Sequence, residues 1–372
     1  MPDTTPTSDH DDVSVVVPAP PQPVHYAEQA LLGALLLEPH RLQELRDLEP
    51  EQFADAAHRA LFTALRATPP PDAEEHARDA TGLTTVLTTA RATMPTLTPG
   101  YPHQLIQACP WPRHLPAYAR IVQGEHARRL LRAHATQLAR AATDRALPDP
   151  VPEVIAQAHA LAALLDRMTG RFASHPGSMP RTPPPPPPSG EPPAEAVEEE
   201  RMLLAGTTAR PSELAELRWL MPADFLHPLH ATLWTCLTTL AHRGADIDPV
   251  TLLWEAQHCG ALHPGGTTAE DVLAIVSTPV GSPGFWAEKI LRRSLLTRAQ
   301  AVAARVISLA DDPANTSHQL VVAGRRALID LTAVTTRLHQ AMPPAPVPRA
   351  RAVARAAPAR PRAGPPASRA TR

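Results

Sequence analysis

The chain has 372 residues, with 35 basic against 37 acidic side chains and 46 prolines. One basic residue alone is a lysine, Lys289, so a Walker-type phosphate loop or Schiff-base chemistry would have to be built on that position. The three cysteines, Cys109, Cys236 and Cys259, have no paired spacing, which argues against a disulfide framework and for the reducing cytoplasm.

Taken in chain order, the first segment, 1–24, is acidic and proline-rich and carries no basic residue, the wrong sign for a signal or transit peptide. With 169–193 and 341–372 it holds 24 of the 46 prolines. Segments so rich in proline neither sustain a hydrogen-bond ladder nor bury enough apolar surface to offset backbone entropy, so all three are expected to be disordered. Two folded blocks remain, 25–168 and 194–340. Each is long enough for its own core.

The first block opens on an apolar run, Leu31 to Leu37, too short to cross a membrane. It closes on a long helical pattern starting near Tyr118, with Ile121, Val122, Leu131 and Leu138. A Leu147-Pro148-Asp149-Pro150 break follows, then a helix with Val151, Ile155 and Leu165 on one face. The second block ends alike. Trp286, Ile290, Leu295, Val302 and Val306 recur at helical spacing, Asp311-Asp312-Pro313 breaks the pattern, and a further helix carries Leu320, Leu331 and Leu338. Asn315, Thr316 or Ser317 is available to cap that helix. Each block thus predicts a terminal helical hairpin, over 118–168 and 285–339. No alternating strand pattern is present, and the fold class is all-α.

The two blocks are copies. Glu28 to Leu65 align without a gap on Glu200 to Leu237, at a spacing of 172, with identity at 15 of 38 positions. Glu28/Glu200, Leu31/Leu203, Pro39/Pro211, Pro50/Pro222, Phe53/Phe225 and His58/His230 are among them. Two leucine-rich helices can match by accident, but not with two prolines, a phenylalanine and a histidine in register. Tyr118-Ala119 and Trp286-Ala287 continue the correspondence at a spacing of 168.

Ala27-Glu28-Gln29-Ala30-Leu31-Leu32-Gly33-Ala34-Leu35 resembles the opening helix of the N-terminal domain of DnaB-type replicative helicases. The likeness runs through Pro39, Pro50-Glu51-Gln52-Phe53 and Ala57-His58-Arg59-Ala60-Leu61-Phe62. It returns at Pro222-Ala223-Asp224-Phe225 and Pro228-Leu229-His230. It then takes in Asp248-Pro249-Val250-Thr251-Leu252, where an Asp-x-x-Thr cap starts a short helix, and the paired glycines Gly265-Gly266, where the next is expected to begin. Tyr118-Ala119-Arg120-Ile121-Val122 is similar to the family's closing motif. Residues 69–100, with Pro69-Pro70-Pro71 and a threonine-rich stretch, depart from the pattern.

The resemblance implies two helical collar domains whose hairpins are association surfaces. The partner-binding residues are then Tyr118, Ile121, Val122, Leu131, Leu138, Ile155, Leu165, Trp286, Ile290, Leu295, Val302, Val306 and Leu331. The implied partners are a replicative helicase and/or primase or loader-like proteins, besides pairing of the hairpins with each other. It does not imply a motor. Lys289 stands in Ala-Glu-Lys-Ile-Leu within a helical pattern with no glycine-rich turn before it, and 32 residues beyond the second hairpin are too few for a RecA-like ATPase.

Other residue groups suggest no chemistry. Cys236, His242, His258, Cys259 and His263 lack the spacing of a zinc site and read as surface histidines with buried thiols. His58 and His230 read as packing or capping residues. Glu198-Glu199-Glu200 reads as a helix N-terminus complementing the macrodipole. No catalytic, cofactor-binding or metal-binding residue is expected. The tail arginines Arg349, Arg351, Arg355, Arg360, Arg362, Arg369 and Arg372 are the one candidate DNA contact, weak and sequence-blind. The alternative to a replication-linked interaction module is therefore a DNA-binding or regulatory factor that uses its helical domains only to oligomerise.

Overall fold

Proline, the residue that interrupts the chain's tails, opens helices within its folded blocks. Its fixed φ and missing N–H suit the first helical turn, and Pro23, Pro39, Pro50, Pro112, Pro211, Pro222, Pro228, Pro249 and Pro283 each occupy such a position. The computed structural model describes residues 22–71, 81–172, 180, 182–186, 191–263, 265–278 and 281–341. The tail arginines, segment 1–21 and much of the proline-rich spacer lie outside the described residues.

The first copy consists of α1 (Pro23–Leu37), α2 (Ala56–Ala67), α3 (Thr81–Arg91), α4 (Tyr101–Ala108), α5 (Leu115–Thr143) and α6 (Val151–Thr169). The second consists of α7 (Ala194–Ala209), α8 (Pro228–Arg243), α9 (Pro249–His258), α10 (Ala269–Val276), α11 (Pro283–Asp311) and α12 (Ser317–Ala341). Among the described residues there is no strand, and the fold is all-α. The duplication is repeated in detail. The 3-10 turns Pro39–Leu45 and Pro50–Gln52 recur as Pro211–Leu217 and Pro222–Asp224. Helices α5 and α11 both have 29 residues.

Caps explain several boundaries. Asp248 Oδ1 accepts from the amides of Val250 and Thr251, while the Thr251 hydroxyl accepts from the Asp248 amide. Thr316, one of three candidates for the last helix, is the residue that caps it. Its hydroxyl accepts from Gln319 N at 3.3 Å and its amide donates to Gln319 Oε1 at 2.7 Å. Helix α10 begins after Thr268, whose side chain caps it, and not at Gly265-Gly266.

A buried glutamate holds each copy together. Glu28 of α1 is fully buried; its carboxylate accepts from Ala54 N at 2.6 Å and Asp55 N at 3.3 Å, and pairs with His58 Nδ1 at 2.7 Å. In the second copy Glu200 repeats all three bonds, to Leu226 N (2.7 Å), His227 N (3.2 Å) and His230 Nδ1 (3.0 Å). One side chain therefore fixes the opening helix, the bend before the next helix, and a buried imidazole. Glu198-Glu199-Glu200 accordingly is not a helix terminus. Helix α7 starts at Ala194, and the three residues sit in its second turn. Glu199 pairs with Lys289 at 2.6 Å and with Arg293, and Glu200 turns inward.

The second copy adds charge to this scheme. Arg293 Nη2 reaches Glu200 at 2.9 Å. Buried Asp224 accepts from Met221 N (2.8 Å), Ser294 Oγ (2.7 Å) and Arg337, tying the turn to α11 and α12. Gln52, its counterpart in the first copy, is uncharged. Burial pushes both carboxyls up, but the hydrogen bonds and the arginines outweigh it and hold Glu200 and Asp224 below the ordinary carboxylate range.

The copies also differ where α1 crosses α4. A Cβ on Gly33 would stand 2.1 Å from the carbonyl oxygen of Leu105, whereas the equivalent position in α7 is the buried alanine Ala205. Gly33→Ala is expected to destabilise by about 1–3 kcal/mol despite alanine's better helix propensity, because the backbone of α4 must retreat. Denaturant unfolding measures it. Acid supplies a second prediction. Carboxyls held low in the fold bind fewer protons than in the unfolded chain, so their stabilisation is complete above about pH 5 and is lost as pH falls through their folded values. Melting temperature against pH is expected to fall below that point, and less steeply in Asp224→Asn.

Candidate functional site

The hairpins are the site the repeat predicts, and the structure brings them together. Helices α5 and α11 make the most extensive helix–helix contact in the chain, flanked by α6 and α12. Leu131, Ala135 and Leu138 of α5, Leu161 and Leu165 of α6, Ala299, Val302, Ala303 and Val306 of α11, and Leu331 of α12 share one hydrophobic core. The result is a four-helix junction within one polypeptide.

Its register is antiparallel. From the middle of α5, Arg128 donates to the carbonyls of Ala310 (3.0 Å), Asp312 (2.8 Å) and Asn315 (2.6 Å), satisfying the end of α11. From the middle of α11, Gln300 Nε2 donates to the Ala142 carbonyl at 3.2 Å, near the end of α5. Arg292 pairs with Asp149 at 2.5 Å, Arg132 with Asp311 at 3.2 Å, and Arg325 with Asp166. These pairs place the centre of the crossing near Ala135 and Ala303, equivalent residues of the two copies and both fully buried. Small side chains there let the helices approach closely. A surface meeting its own copy about an approximate two-fold axis is the isologous arrangement of a symmetric dimer.

The apolar packing does not divide where the spacer lies. The first head, from Leu31 to Val122, forms one core, while α5 from Ala127 onward and α6 join the core of the second copy. Within the spacer, Thr182 is fastened to the second hairpin. Its hydroxyl donates to Asp312 at 2.5 Å and accepts from Asn315 Nδ2 at 2.7 Å, and Arg305 donates to its carbonyl at 3.0 Å.

Of the residues expected on the hairpin surfaces, Leu131, Leu138, Leu165, Ile290, Leu295, Val302, Val306 and Leu331 lie in the shared core, with Ile155 and Trp286 packed at its edge. Val122 is buried in the first head and Tyr118 packs against it. Ile121 faces out, 51% exposed. Lys289 stands on α11 beside Glu199, with Phe285 and Trp286 within cation–π reach.

Among the described residues, Cys236, His242, His258, Cys259 and His263 do not converge on one point, although the two thiols meet. His258 Nδ1 bonds the Trp254 carbonyl, and Cys259 is exposed, contrary to its expected burial. Cys236 is buried; burial, then its hydrogen bond with Cys259, pushes its thiol up to about 12. Such a thiol stays protonated at neutral pH and is a poor metal ligand. A different group, unnoticed in the sequence, does converge among the described residues: His25, Asp55 and His58, with one ligand atom of each within 4.8 Å of the others. His25 lies 30 residues before Asp55 and meets Asp55 and His58 only because α1 packs on the start of α2. The Glu28/His58 pairing across the repeat was the available signal.

Comparison with known proteins agrees with this architecture. The pattern of the DnaB-like helicase N terminal domain matches residues 19–124 and 192–282, together just over half of the chain. The two segments cover the two heads; most of each hairpin falls outside them. No curated protein and no solved structure matches. No helix among the described residues is long and apolar enough to cross a membrane. A twice-matched head, each copy followed by a 29-residue helix and a returning one, leads to a single assignment: the chain belongs to the DnaB-like helicase N-terminal domain family.

Proposed function

We propose that this protein is a cytoplasmic interaction module of DNA replication, a collar-like element without a motor, that binds a replicative helicase, a primase or a loader-like protein. Its units are taken as the copies 25–168 and 194–340, joined through 169–193. The observation that carries the reading is the antiparallel closure of the two hairpins on each other, which gives one polypeptide a dimer-like junction. A tether of this length holds two self-complementary surfaces at roughly millimolar effective concentration. The hairpins are then occupied from within, and partners meet the outer faces, where Trp111, Ile121, Val250 and Trp254 are exposed.

Light scattering is expected to give a monomer of 40.0 kDa. Cleavage at a protease site placed within 169–193 is expected to leave the halves associated, and their separation would sink the reading. Arg128→Ala removes one donor shared by three carbonyls and is expected to cost about 1–3 kcal/mol in unfolding experiments. Affinity capture from the native cell with the full chain, and with residues 341–372 removed, is expected to retain helicase or primase in both cases. DNA binding lost with the tail, and no replication protein retained, would favour the DNA-binding alternative. ATP hydrolysis by the purified chain would overturn both.

A further inference from the structure

The two copies share the buried glutamate and its histidine, yet one neighbouring position carries opposite charge in the two. In the second copy Arg293 supplies a cation against Glu200. At the equivalent position of α5 the first copy has Glu125, and the cavity there is lined by His25, Glu28, Asp55, Glu125 and Arg129. Arg129 donates to the Gln52 carbonyl at 2.8 Å, and Glu125 pairs with Arg128 at 3.2 Å. The first copy also has a donor the second lacks, since His25 corresponds to Val197, and it has a carboxylate, Asp55, where the second has the imidazole of His227.

The donors are arranged for a metal. His58 is fully buried; its Nδ1 is held by Glu28, while its Nε2 is buried without any hydrogen-bond partner. An imidazole oriented by a carboxylate on one nitrogen and open on the other is how metal-ligating histidines are held. Asp55 divides its oxygens similarly. Oδ1 caps α2 through the amides of Ala57 and His58, and Oδ2 lies 3.6 Å from His25 Nδ1. Ligand atoms around a tetrahedral zinc are about 3.3 Å apart, so the His25–Asp55 spacing is close to closed. His25 belongs to the first turn of α1, is only partly buried, and its ring lies 4.9 Å from that of His58.

We propose that the first copy binds one divalent transition ion, Zn2+, through His25 Nδ1, Asp55 Oδ2 and His58 Nε2, with a fourth position open to water or to a donor from a partner. Two nitrogens and a carboxylate oxygen suit zinc and its cobalt surrogate over magnesium or calcium. The ion supplies to the first copy the internal positive charge that Arg293 supplies to the second.

The test uses the full chain, stripped with a chelator and titrated with Zn2+ alone against a chromophoric competitor, then with Co2+ read by its visible spectrum. One ion per chain is expected. His25→Val installs the residue of the second copy, and Asp55→Asn keeps a good N-cap while removing the charge. Each is expected to weaken Zn2+ binding at least tenfold, with circular dichroism unchanged. Added Zn2+ is expected to raise the melting temperature of the parent chain and not of His25→Val. Three results would overturn the proposal: no stoichiometric ion at micromolar Zn2+, undiminished affinity in either variant, or a thiolate-to-cobalt charge-transfer band, which would place the ion at the cysteines.

Discussion

The rest of the structure depends on the antiparallel crossing of α5 and α11. Each helix ends beside the middle of the other, so side chains of one satisfy the terminal carbonyls of its partner: Arg128 serves α11 and Gln300 serves α5. Helix ends left bare in an apolar junction are costly. The reciprocal arrangement removes that cost at both ends with residues that are not themselves equivalent. The two copies have thus diverged around a shared axis. Its centre, Ala135 and Ala303, keeps the same small residue in both, as do Ala142 and Ala310 further along.

Divergence elsewhere follows the same logic. The glutamate–histidine–amide anchor is retained because a buried carboxylate without its partners is strongly destabilising. What surrounds the anchor is free to change. The second copy sets Arg293 against it and links Asp224 to its own hairpin. The first copy substitutes a neutral Gln52 and packs α1 against α4 at Gly33 instead. One copy is held by charge, the other by close backbone contact.

Much of this was legible in the sequence. Pro39/Pro211, Phe53/Phe225 and His58/His230 exposed the duplication because helix starts and core aromatics tolerate few substitutes, and leucine periodicity located the hairpins. The burial of Glu200 was not legible. In a run of three glutamates nothing local marks which one turns inward; that is decided by where the Leu226 and His227 amides lie in the fold. The division of the core was hidden for a related reason. A repeat marks where a copy ends, whereas packing is settled by which apolar faces meet. The grouping of His25 with Asp55 and His58 was not legible either, because His25 stands 30 residues away and is brought in only by the contact of two helices.

Helix α5 has one further property. Leu115, Ala119 and Val122 at its start are buried in the first head, and Ala127 to Ala142 are buried in the junction, with no break between them. The two cores are thus mounted on a single continuous rod. Turning the first head relative to the junction would require bending an α-helix, which demands a proline, a bulge or lost hydrogen bonds. The head is accordingly a fixed lever, and a force applied at its far side is transmitted to the hairpins as torque.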